Sequence, residues 1–303
     1  EQIADDIVVM RDGCLIGTAE FGELSHDEMV RMMVGREVKV LSKKSSTNKH
    51  PVLNASNISL KHPTRPGDFL VNEVDLHVCK GEVLGIFGLM GAGRTELLEC
   101  LFGLHPKTSS GNVSIHDECV RLKCPADAIA HGLALVPEDR KHDGLVLSMS
   151  VAENASLASL KQAERFGFID RAKEREHTRR FVERFRVKTP SLREKIVNLS
   201  GGNQQKVILA KWLATGPTVL MLDEPTRGID IHAKNEIYTL IDELTTDGLA
   251  VIMVSSELPE VMAVSDRILV MCEGRATQEF DRAEATEEAI LQAALPKRTS
   301  IPC

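Results

Sequence analysis

The apolar positions along this chain fall into two patterns. Residues 82–87, 218–222 and 249–254 are short, nearly unbroken apolar runs, the length of strands with neither face left to water. Between the last two, residues 233–246 repeat their apolar positions at helical spacing and stop at Gly248. Strand, helix and strand in that order, with continuous apolar strands, predict a parallel sheet covered on both faces. Ligands of such sheets sit at the carboxyl ends of the strands, which here are Phe87, Leu222 and Val254. Residues 52–60 and 69–78 alternate instead, as half-buried strands do. Helical periodicity returns over residues 95–104 and ends at Gly103 or Pro106. Residues 159–186 are dense in charge around Phe166, Phe181, Val182 and Phe185, which predicts helices with one solvated face. No apolar run approaches the ~18 residues of a membrane span.

The pattern also repeats. Residues 4–13 and 265–274 share a small residue, an Asp, an apolar strand, a Met and a closing Gly at one constant offset, which sets Gly13 on Gly274. The same offset sets Ser25 on Thr286, both placed as helix N-caps with acids following, then Met29 and Val30 on Ile290 and Leu291. Residues 1–40 therefore read as the C-terminal tail of a preceding module. Residues 41–50 are polar, lack apolar periodicity and read as a linker. A complete module then spans residues 51–296, and residues 297–303 read as a frayed tail.

Composition narrows the function classes. A net charge of -7 with no long basic block argues against nucleic acid as a partner. The cysteines (Cys14, Cys79, Cys100, Cys119, Cys124, Cys272 and Cys303) form no CxxC pair, so neither a zinc site nor a disulfide framework is expected.

The chemistry lies at the predicted strand ends. Gly88-Leu89-Met90-Gly91-Ala92-Gly93-Arg94-Thr95 follows the first buried strand and opens a helix, the context of a phosphate-binding loop. In that pattern the glycines let backbone N–H groups cradle phosphates, a Lys reaches the β- and γ-phosphates, and a hydroxyl holds Mg²⁺. Thr95 supplies the hydroxyl, but Arg94 stands where Lys is expected. Asp223 closes the second buried strand as a Mg²⁺ partner would, and Glu224 beside it is placed to orient or deprotonate an attacking water. Leu199-Ser200-Gly201-Gly202-Asn203-Gln204-Gln205-Lys206 combines a capping Ser, two glycines and a helix expected to begin near Asn203. That is an anion site built from backbone N–H groups and a helix dipole.

Phosphate loop, Leu-Ser-Gly-Gly signature, Asp-Glu-Pro-Thr strand end and Gly228-Ile229-Asp230, in this order, resemble the ATPase domains of ATP-binding-cassette transporters over the whole of residues 51–296. The resemblance implies an α/β fold, a P-loop NTPase of cassette type with a parallel-sheet core, an antiparallel β subdomain and a helical subdomain at about residues 140–215. It implies ATP and Mg²⁺ as cofactors, held by Gly88, Gly91, Ala92, Gly93, Arg94, Thr95 and Glu96, with Thr95 and Asp223 at the metal and Asp223 and Glu224 catalytic. Family cassettes pair head to tail, each ATP lying between one P-loop and the other cassette's signature, so Ser200, Gly201, Gly202 and Asp230 would meet nucleotide. Glu138 falls at the nucleotide-sensing Gln position and Ser256 at the switch His position.

Three positions thus depart together: Arg94, Glu138 and Ser256. The strings Gly-Ala-Gly-Arg-Thr-Glu, Pro-Glu-Asp-Arg-Lys and Val-Ser-Ser-Glu-Leu-Pro-Glu resemble the second, degenerate cassette of the tandem ATPases of bacterial monosaccharide importers, ribose importers among them. The implied partners are the preceding cassette of the same polypeptide, membrane permease subunits and, indirectly, a periplasmic sugar-binding protein. The implied location is the cytoplasmic face of the bacterial inner membrane. This cassette's own site would be weak or inactive, while its signature serves the partner site. Leu145, Val146, Leu147 and Met149 would either contact the permease or be buried. His62 reads as a solvent-exposed loop residue, and Trp212 and Tyr238 as packing on helix faces. Two other readings stand beside transport: a soluble cassette ATPase acting on ribosomes or DNA, and a regulatory nucleotide-binding module.

Overall fold

A computed structural model describes residues 6–11, 14–20, 50–165 and 168–296. The expected Ser25 cap and its helix, Phe166, most of the linker and the tail at residues 297–303 lie outside the described residues. The strands are β1 (Asp6–Arg11), β2 (Cys14–Glu20), β3 (Pro51–Lys61), β4 (Phe69–Cys79), β5 (Val83–Gly88), β6 (Ser109–Ile115), β7 (Glu118–Val120), β8 (Leu133–Val136), β9 (Glu164–Arg165), β10 (Phe168–Ile169), β11 (Val219–Asp223), β12 (Ala250–Val254), β13 (Arg267–Cys272) and β14 (Arg275–Asp281). The α-helices are α1 (Arg94–Leu101), α2 (Pro125–Ala130), α3 (Val151–Ser156), α4 (Arg171–Arg184), α5 (Gly201–Leu213), α6 (Ile231–Thr246), α7 (Leu258–Val264) and α8 (Glu287–Ala294).

The six-stranded sheet runs β14-β13-β5-β12-β11-β8. Its strands pair in parallel except β14, which returns antiparallel along β13. Period-two geometry explains why the strands are apolar throughout. In β11, Val219 and Met221 enter one core while Leu220 and Leu222 enter the other. In β12, Ala250, Ile252 and Val254 face the first core, and Val251 and Met253 the second. The first core is shared with α1 and the antiparallel sheet β4-β3-β6-β7, and the second with α3, α4, α5 and α6. A third cluster joins Phe87 to α7, β13, Phe280 and α8.

Local chemistry sets the helix starts. Asp230 accepts the Ala233 N–H at 2.9 Å to open α6, and Ser150 with Glu153 forms a capping box on α3. The charged segment has α4 as its longest helix, anchored by buried Val182 and Phe185. The signature helix departs from expectation. It begins at Gly201, not near Asn203, and the Ser200 hydroxyl accepts from Asn203 Nδ2 at 2.9 Å instead of from a backbone N–H. The reason is contact: a Cβ on Gly202 would lie 2.5 Å from the Ala233 Cβ, so only glycine lets this first turn form against α6.

The hairpin β1–β2 pairs Asp6 with Glu20 and shifts register between Val9 and Met10. The hairpin β13–β14 pairs Arg267 with Asp281 and shifts between Val270 and Met271. Pairing, irregularity and strand ends coincide at the offset read from the sequence.

Gly85, in the middle of β5, has no room for a side chain: a Cβ would sit 2.1 Å from Ser265 Oγ and 2.6 Å from Val261 Cγ1. Gly85→Ala should destabilise the protein by about 1–3 kcal/mol, the usual cost of overpacking a core. Urea unfolding reads this as a lowered midpoint at unchanged slope.

Candidate functional site

β5 ends at Gly88, where a Cβ would meet the Met271 carbonyl at 2.5 Å. The chain then turns through Gly91 and Gly93, both with left-handed φ (81° and 88°), and at Gly93 a Cβ would also strike the Leu70 carbonyl at 2.3 Å. Ala92 is buried and braces the loop: its N–H donates to Leu89 and its carbonyl accepts from Gly274, each at 3.0 Å. Met90 at the crest is 97% exposed. The Leu97 N–H donates to Gly93 O at 3.0 Å, so the N–H groups of Arg94, Thr95 and Glu96 precede the helical ladder. Free N–H groups and the positive end of a helix dipole make this an anion-binding turn.

Asp223, at the end of β11, is 2% exposed, and its Oδ1 is buried without a hydrogen-bond partner. Burial raises its pKa to about 6, against the lowering effect of a hydrogen bond with Thr95. Glu224 follows with φ of 45°, held by its N–H donating to Val254 O at 3.0 Å. Its carboxylate lies 3.4 Å from Arg94 Nη1, with both side chains about one-tenth exposed. Burial raises the Glu224 pKa, while the Arg94 charge and hydrogen bonds from the Ser256 side chain and backbone oppose that rise. The fold thus gathers Arg94, Thr95, Asp223, Glu224 and Ser256 at one edge of the sheet. The orphaned Asp223 oxygen beside the Thr95 hydroxyl fits a hard cation that takes oxygen ligands. Among the described residues, no three His, Cys, Asp or Glu side chains could hold a metal by themselves. A cation here would complete its shell from phosphate and water.

Glu138 lines a cleft of about 820 Å³ with Thr95, Asp223, Arg140 and Trp212. Its carboxylate pairs with Arg227. Ser200, Gly201 and Gly202 do not line this cleft. Asp230, expected near nucleotide, has its carboxylate on the Ala233 N–H.

Sequence reasoning missed Arg140, Arg227 and Glu260. Glu260 is buried and accepts from Thr226 Oγ1 at 2.7 Å, Ser255 Oγ at 2.8 Å and Lys234 Nζ at 2.7 Å. Burial alone would raise its pKa, but these donors and Tyr238 bring it below the usual value. A carboxylate four residues after Ser256, in the first turn of α7, was the available signal. His62 is half-buried and accepts the Thr64 and Arg65 N–H groups inside its loop.

The raised Asp223 pKa fixes a pH dependence. The folded chain favours protonated Asp223, so this residue's contribution to stability is full below about pH 4 and is lost as pH rises through about 6. Without nucleotide or metal, Asp223→Asn should be more stable than the parent at pH 8 by on the order of 2 kcal/mol. Denaturant unfolding should show the difference closing as pH falls toward 4.

The description "ABC transporter" matches residues 71–227, just over half of the chain. The chain is 87% identical, over its full length, to the ribose import ATP-binding protein RbsA of Rhodopirellula baltica, and covers 59% of that protein. It is 48% identical over 96% of its length to the xylose import ATP-binding protein XylG of Moorella thermoacetica, covering 58% of it. The chain therefore spans under two thirds of the length of these relatives. A nucleotide-free ATP-binding cassette from an ABC transporter superposes with a TM-score of 0.69 over 82% of this chain and 100% of that one, at 21% identity. A dimeric post-hydrolysis cassette bound to ADP and Pi gives 0.66 over 76% and 98%, at 22% identity. With the phosphate loop, buried acids and signature helix arranged as described, the chain belongs to the ABC transporter family and carries its ATPase cassette fold.

Proposed function

We propose that this chain is the C-terminal part of a tandem cassette ATPase that drives import of a ribose-type monosaccharide, and that its own phosphate loop holds nucleotide while its signature completes the partner's site. The observation that carries this reading is the Arg94–Glu224 ion pair at 3.4 Å. A Lys would be a compact point charge on phosphate, whereas the Arg fork is long, planar and permanently charged. Here it reaches the carboxylate that would activate water. Ser256 gives Glu224 hydrogen bonds but cannot carry the charge of a switch His. A barrier higher by about 4 kcal/mol slows turnover roughly a thousandfold.

Thr95 and Asp223 would hold Mg²⁺, whose charge would offset that of the phosphates. The N–H groups at the start of α1 would bind phosphate oxygens, and Ser200, Gly201 and Gly202 would face the nucleotide on the preceding cassette. The coincident hairpins support residues 1–40 as the tail of that cassette and residues 51–296 as the second cassette, joined by residues 41–50. The import functions named for the relatives support permease subunits as partners, reached indirectly by a periplasmic sugar-binding protein, at the cytoplasmic face of the inner membrane. No helix among the described residues is long and apolar enough to cross a membrane. The cleft beside Glu138, walled by Leu98, Phe102, Leu104 and Trp212, suits a permease segment. Val146 and Met149 are exposed, whereas Leu145 is buried and Leu147 packs on the core.

In the full tandem protein, Ser200→Arg should lower ATP turnover by about a hundredfold or more, and Arg94→Ala by no more than about threefold. Steady-state ATPase assays compare the two. The reverse order would assign hydrolysis to the Arg94 site and end the proposed division of labour.

A further inference from the structure

The segment after Glu138 grips the signature helix along its length. Arg140 donates from Nη1 to the Arg227 carbonyl at 2.8 Å and from Nη2 to the Gly228 carbonyl at 3.1 Å. The same guanidinium abuts the signature: a Cβ on Gly201 would lie 3.0 Å from Arg140 Nη2 and 3.4 Å from the Gly228 carbonyl. Further on, Gly144 packs on the middle of α5, where its Cβ would lie 2.8 Å from Ile208 Cδ1. Its carbonyl accepts from buried Lys211 Nζ, near the end of α5, at 2.6 Å. The turn between these anchors is stiffened by Asp139, which accepts the N–H groups of Lys141 at 2.9 Å and His142 at 3.0 Å. Glu138, one residue before, pairs with Arg227, the residue whose carbonyl Arg140 holds.

We propose that Arg140 is a positioning residue for the ATP site that this cassette's signature completes, holding Ser200–Gly202 and the Gly228–Asp230 turn in one register with the cleft segment that begins at Glu138. The Arg140 guanidinium is engaged by backbone carbonyls of the protein itself. It fixes two backbone carbonyls that precede the Asp230 cap of α6, and α6 packs against Gly202 through Ala233. A displacement of residues 138–140 therefore moves both faces that would meet the partner's ATP. Two successive carbonyls are met by two N–H groups on one rigid plane, which Arg supplies and Lys does not. The inference rests on the reading that the signature serves a partner cassette.

The test uses the full tandem protein bound to its permease, with the Arg140→Ala and Arg140→Lys variants, and Ser200→Arg as the control for that reading. Arg140→Ala should lower kcat for MgATP by about tenfold or more, with KM held within about threefold and Tm within a few degrees. Arg140→Lys, which keeps the charge and one carbonyl bond, should recover part of the loss. Wild-type kcat in Arg140→Ala, or a loss that follows Tm and that Lys does not relieve, overturns the proposal. If Ser200→Arg inactivates while Arg140→Ala turns over normally, this inference alone fails. If Ser200→Arg is active, the reading beneath it fails and takes this inference with it.

Discussion

Burial of both faces of the central sheet is the constraint on which the site depends. β11 and β12 alternate between two apolar cores and β5 is buried along its whole length, so their interior positions cannot carry an ionised group at low cost. Polar chemistry is forced to the strand ends. There Gly88, Asp223 and the Ser255-Ser256 pair emerge side by side because neighbouring parallel strands end in register. The glycines that turn the chain out of β5 do so against fixed backbone, the carbonyls of Leu70 and Met271. The loop's shape is thus set by the antiparallel sheet and β13 as well as by its own residues.

Charges at this edge are only partly hydrated, which makes their pairing consequential. Asp223 has one oxygen without a partner, a state that favours either a proton or a hard cation. Glu224 sits between a guanidinium and Ser256, so its charge is already answered within the chain. Glu260 shows the other solution. It lies deeper and remains an acceptor for four side chains that tie the Thr226 turn, the Ser255 strand end and α6 together. Two carboxylates near one loop therefore differ in kind, Glu260 an organiser and Glu224 held by Arg94.

The signature lies apart from this edge, against α6 and the segment after Glu138. Its exposed Ser200 and close-packed Gly201 and Gly202 do not line the cleft that holds Thr95 and Asp223. In the proposed tandem arrangement these residues would face the nucleotide of the preceding cassette. The repeat of the β13–β14 hairpin near the start of the chain supports that proposed arrangement.

The sequence by itself determined the buried strands, the phosphate loop, the Asp223-Glu224 pair and the repeat, because each depends on local period or on contiguous residues. It also marked Arg94, Glu138 and Ser256 as departures, since a motif is read one position at a time. It placed the signature helix two residues late, because the reason for the start, Gly202 against Ala233, is a contact between distant segments. Only the tertiary structure decided where the departing side chains go. Arg94 on Glu224, Glu138 on Arg227, and Arg140 on the carbonyls of Arg227 and Gly228 join residues some ninety to one hundred and thirty positions apart. Long charged side chains reach whichever partner the folded backbone brings near, and no one-dimensional spacing encodes that reach.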